Sequence, residues 1–131
     1  MKRIFCILLA LTMVAALCGC ARTQVSSGAQ VTLNFVYADQ DIHVVLPEEE
    51  AARVIEILDG KAYDPIGSGT PSCGFSKDIS LSVDGHVYAI ARDTCAGFQD
   101  MGNLRCATVS TDEISYIHSL FRQYGGYFPC V

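Results

Sequence analysis

The chain has 131 residues and a formal net charge of −5, a length that favours one domain with one modest core. Half of its residues are hydrophobic, but the first twenty positions hold a large share of them. Nine basic residues against fourteen acidic ones, with no basic run, argue against a nucleic-acid partner and against holding an anionic bilayer by charge.

Lys2 and Arg3 open the chain, and residues 4–17 follow as an apolar run. That run falls short of the ~20 residues needed to span a ~30 Å hydrocarbon core but suits the apolar segment of a secretory signal. It closes on Leu17-Cys18-Gly19-Cys20: an aliphatic residue, a small one, Gly, then Cys. Residues 1–20 thereby resemble the signal and lipobox of bacterial lipoprotein precursors. The resemblance implies cleavage before Cys20 and a diacylglycerol thioether on its sulfur. The protein would then sit at the outer face of the cytoplasmic membrane, or at an outer membrane in a Gram-negative cell. Loss of Lys2 and Arg3 leaves seven basic residues against fourteen acidic, a mature net charge of −7. Residues 20–30 read as the lipidated cysteine and a small, polar, flexible tether; ten extended residues reach ~35 Å at most. Residues 31–131 read as one domain.

In that domain, residues 31–37 and 42–46 alternate apolar and polar side chains around a turn, so residues 31–46 predict a hairpin. Pro47 opens a helix, Glu48, Glu49 and Glu50 complement its dipole, and Ala51, Val54, Ile55 and Leu58 form its apolar stripe. Gly60 stops it. Residues 59–74 are rich in Gly, Pro, Ser and Asp and predict a long loop, one of two places suited to binding. Ile79, Leu81 and Val83 begin a second hairpin that turns at Asp84-Gly85 and returns through residues 87–92. Residues 93–103 predict the second loop and residues 104–109 a strand. Ser110-Thr111-Asp112-Glu113 is a capping box for a helix that carries Ile114, Ile117, Leu120, Phe121 and Tyr124 inward. The class is α+β: a small antiparallel sheet of about five strands in the order ββαβββα, with two helices packed on one face.

With Cys6 and Cys18 removed and Cys20 acylated, Cys73, Cys95, Cys106 and Cys130 remain, an even set that predicts two disulfides in an exported domain. Four cysteines allow three pairings. A helix over residues 111–124 is ~21 Å long and residues 125–130 extend ~20 Å, so the tail reaches back to the preceding strand and favours Cys106–Cys130. Cys73–Cys95 is left across the open end of the Asp84-Gly85 hairpin. A two-residue turn sets position 73 opposite 96, so this second pair needs a bulge or irregular chain.

Catalytic signals are sparse. His43, His86 and His118 read as surface or boundary residues. No Cys-x-x-Cys, metal-ligand spacing, nucleophile elbow or phosphate loop occurs. Asp64, Asp93 and Asp100 lack the dense alternation of a calcium loop. Phe98 and Met101, with Tyr63, are apolar residues in polar loop settings and are candidates for partner contact. The sequence therefore predicts a membrane-anchored, non-catalytic module without a cofactor, which binds a protein, a peptide or an envelope component. An inhibitor that uses the 59–74 loop is the first alternative, and a metal-binding or thiol-redox protein the second.

Overall fold

Two positive-φ residues in succession make each of the first tight turns. Ala38 and Asp39 lie at φ 50° and 60°, and Asp84 and Gly85 at 47° and 84°. This is the twist that joins neighbouring antiparallel strands through two residues. The first turn links β1 (Val31–Tyr37) to β2 (Gln40–Val45), and the second links β4 (Phe75–Val83) to β5 (His86–Ala91). Between the hairpins come α1 (Glu48–Leu58) and the two-residue β3 (Asp64–Pro65). β6 (Gly97–Asp100), β7 (Arg105–Thr108) and α2 (Thr111–Gly125) complete the order. The computed structural model describes residues 25–65, 74–92 and 95–125.

Over the described residues the protein is α+β, with an antiparallel open sheet and two helices. Six strands form the body of the sheet and β3 adds a short seventh, in the order β2-β1-β4-β5-β6-β7-β3. The predicted order ββαβββα lacks two of these strands. β3 and β6 arise within stretches whose composition predicts loop. β6 becomes a strand because both neighbours pair with it: Ile90 opposes Phe98, which in turn opposes Ala107.

The pleat sorts the side chains. Val31, Leu33, Phe35, Leu81, Val83, Tyr88, Ile90, Phe98 and Ala107 join one buried cluster with Val54, Ile57 and Leu58 of α1 and Ile114, Ile117, Leu120 and Phe121 of α2. Both helices therefore cover the same face of the sheet. Phe35 and Phe121 meet edge-to-face at 5.9 Å between ring centroids. A Cβ at Gly125 would lie 2.9 Å from the Phe35 ring, so the end of α2 seats directly on β1. Across the exposed side, Glu50 of α1 accepts hydrogen bonds from Gln123 (3.0 Å) and from the Tyr124 hydroxyl (2.6 Å) of α2.

The capping box forms as the sequence predicts: the Ser110 N–H donates to Glu113 Oε2 (2.8 Å) and the Glu113 N–H to Ser110 Oγ (3.2 Å). Lys61 also donates to Glu113 (2.8 Å), and its ammonium, with the Ser110 N–H, holds the Glu113 carboxyl below its ordinary pKa.

Two sequence expectations about the chain ends need correction. The segment before β1, expected as a flexible tether through residue 30, is held against the domain from residue 25 onward. The Val25 N–H donates to Asp59 (3.3 Å) and Val25 packs against the core, Ala29 is buried, and Gln30 exchanges hydrogen bonds with Asp84 (2.9 and 3.0 Å). The Cys106–Cys130 bond is not formed, because Cys106 is a buried free thiol. The reason lies in the pleat: Ala107 faces the helices, so its neighbour Cys106 faces away from α2, on the far side of the sheet from a tail that retraces the helix. Cys95 is disulfide-bonded. Cys73 and Cys130 lie outside the described residues, as do Cys20 and Asp93.

Candidate functional site

The face of the sheet opposite the helices divides into two halves. Toward β7 it is built of small residues: Ala89, Ala91, Gly97 and Cys106 are all buried there. The Phe75 ring reaches over this patch, and a Cβ on Gly97 would lie 3.9 Å from it. Toward β2 the same face is polar and carries an open groove of about 330 Å³.

Register alone assembles the floor of this groove. Asn34 on β1 sits between His43 on β2 and Ser80 on β4, directly opposite both. Their hydrogen bonds run in one direction. The Asn34 amide donates to Ser82 Oγ at 2.8 Å and to Ser80 Oγ at 3.3 Å, and the Ser80 hydroxyl donates to the Lys77 carbonyl at 2.9 Å. With both amide protons committed, Asn34 Oδ1 is the acceptor for His43 Nδ1 at 2.7 Å. That assigns the Nδ1–H tautomer and leaves Nε2 of the neutral ring as the acceptor.

The wall is made by an irregularity in β4. Pairing with β5 shifts between Ser76 and Ser80, which lifts Lys77 and Asp78 out of the ladder. Ser76 steadies the bend, donating to Asp78 Oδ2 (3.0 Å) and accepting from the Asp78 N–H (3.2 Å). Lys77, Asp78 and Asp41 thus place one cation and two carboxylates around a floor of hydroxyl, amide and imidazole groups. Such a site can exchange several hydrogen bonds with a polar ligand. Among the described residues that line it there is no cysteine and no serine bonded to a histidine, the pairings that activate a nucleophile. Among the described residues no three His, Cys, Asp or Glu side chains are grouped to hold a metal ion.

A second constellation is structural. Asp100, only 6% exposed, accepts hydrogen bonds from His86 Nε2 (2.8 Å), the Gly102 N–H (2.8 Å), the Asn103 N–H (3.2 Å) and the Asn103 side chain (3.0 Å). Burial pushes its pKa up, but these donors together outweigh burial and hold the carboxyl below the ordinary range. His86 packs on Tyr88, 4.8 Å between ring centroids. The carboxylate is spent on closing the β6–β7 turn, where Leu104 is held at φ 52°.

The residues expected at a partner surface do not form one. Phe98 is fully buried and Tyr63 is 8% exposed, both in the core, while Met101 is half-buried at the turn after β6. Pairing on both sides of β6 is what draws Phe98 inward. Asp64 is exposed on β3, opposite Cys106. Burial pushes the Cys106 thiol pKa up, away from the thiolate that redox chemistry uses. On α2, burial and then Arg122 push the half-buried His118 down, toward the neutral ring. Of the loop over residues 59–74, positions 66–73 lie outside the described residues.

The groove escaped the sequence reading because its residues are scattered over positions 34, 43, 77, 80 and 82. The available signal was the polar phase of three alternating strands, with Asn34, His43, Ser80 and Ser82 all on it. No protein family, curated protein or solved structure matches the chain.

Proposed function

We propose that the protein is an exported lipoprotein of the cell envelope whose domain is a non-catalytic binding module, anchored through a lipid on Cys20. The anchoring rests on the apolar run that ends in Leu17-Cys18-Gly19-Cys20. In cells, Cys20→Ala is expected to abolish acylation and processing: intact mass would show a chain that retains residues 1–19. A Cys20→Ala protein that still matures and partitions with membranes like the parent would overturn the anchor.

The binding reading is carried by one observation: a polar groove on the sheet face that neither helix covers, with its imidazole oriented by Asn34. Its mixed donors, acceptors and charges suit a peptide or glycan of the envelope, and the acidic mature chain disfavours nucleic acid. The test is co-sedimentation of the detergent-solubilised protein with purified peptidoglycan. Ser82→Phe fills the groove and is expected to reduce binding at least tenfold. Equal binding by parent and variant, or none by the parent, would count against an envelope polymer as the groove's ligand. The disulfide at Cys95 fits the oxidising side of the membrane.

A further inference from the structure

The two edges of the sheet are unlike. At one end β3 is two residues long and includes Pro65, which has no N–H to offer a neighbour. Short edge strands and prolines are the usual means by which sheets prevent further pairing. At the other end β2 has six residues, QDIHVV, without proline, lysine or bulge, paired with β1 in unbroken register.

The orientation of the β2 backbone follows from the ladder. The Leu46 N–H donates to the Val31 carbonyl at 2.9 Å. Because hydrogen-bonded pairs alternate in an antiparallel ladder, Gln40, Ile42 and Val44 also spend their backbone groups on β1. Asp41, His43 and Val45 point theirs outward, where no strand of the described residues meets them. All three side chains are exposed on the open face, Val45 at 55%.

We propose that β2 pairs antiparallel with β2 of a second copy of this chain, about a two-fold axis that sets His43 opposite His43 of the second copy. A head-to-tail contact between unlike edges would propagate into a fibre, and β3 blocks it; the like-edge contact closes on itself. A two-fold axis normal to the sheet keeps open face beside open face, which requires odd-numbered residues to oppose odd-numbered ones. Among such registers, this one pairs Asp41 with Val45, His43 with His43 and Val45 with Asp41, so every outward N–H and C=O of β2 finds a partner. The two polar grooves would then adjoin across the axis.

The test is cross-linking of the full chain on membranes, read as covalent dimer on non-reducing gels. His43→Cys is expected to form a disulfide with itself, since hydrogen-bonded antiparallel pairs lie ~5.5 Å apart at Cα, inside the disulfide range. Asp41→Cys, also exposed on the same strand, is expected to give at least tenfold less, because its own counterpart lies ~14 Å farther along the strand at ~3.4 Å per residue. In detergent, light scattering is expected to show a dimer that Val45→Pro converts to monomer with unchanged circular dichroism, since that substitution removes an outward N–H. A monomer at every concentration, or cross-linking equal at positions 41 and 43, overturns the proposal.

Discussion

Phe98→Ala is expected to cost about 3–5 kcal/mol of unfolding free energy, the range for removing a buried aromatic ring. The ring sits between Ile90 and Ala107 on the helix-covered face and has no exposed surface. Truncation leaves a void that β6, held on both sides, cannot collapse to fill. Urea denaturation of the two proteins checks it. A loss below ~0.5 kcal/mol, the size of a surface effect, would mean that Phe98 is exposed and would restore it as a contact residue. The loss would also threaten folding outright, because domains of this size hold only ~5–15 kcal/mol in total.

The second large effect is expected at Asp100. Its carboxylate satisfies two backbone N–H groups, the Asn103 amide and His86 at once. Asp100→Ala strips all of these donors of their acceptor and is expected to cost about 2–3 kcal/mol. The effect carries a pH signature. The folded-state pKa is held below the unfolded one, so the contribution is fully present above the ordinary aspartate value of ~3.9 and is lost as pH falls through the lower, folded value. Parent and Asp100→Ala stabilities should therefore converge in strong acid and diverge toward neutrality. Parallel curves between pH 2 and 6 would show that the turn does not depend on the ionised carboxylate.

Local chemistry was readable from the sequence wherever the structure rests on neighbours in the chain. Asp84-Gly85 makes its turn, Ser110 and Glu113 cap their helix, and alternation through residues 31–36 puts Val31, Leu33 and Phe35 inside. What remained hidden depends on contacts distant in sequence. Gly97-Phe98-Gln99-Asp100 has no strand-forming pattern and is a strand only because β5 and β7 flank it. Reach along the chain favours Cys130 as the partner of Cys106, whereas the pleat decides which side of the sheet Cys106 faces. The Asn34, His43 and Ser82 network exists only once three strands are in register, so each residue in isolation reads as ordinary surface. Mixed polarity at such positions is uninformative until the pairing is known.

The docking of residues 25–30 onto the domain bears on how the protein would stand above a bilayer. With the lipid proposed for Cys20, the chain from there to Val25 would stretch only ~18 Å, about half the leash that an undocked segment through residue 30 would allow. In the pairing proposed for β2, two copies would be related by an axis normal to their sheet, and leashes this short would hold both at one height. The axis would then run close to the membrane normal. The joined sheets would lie flat along the surface like a raft, with one entire broad side turned toward the lipid headgroups and the other toward the envelope.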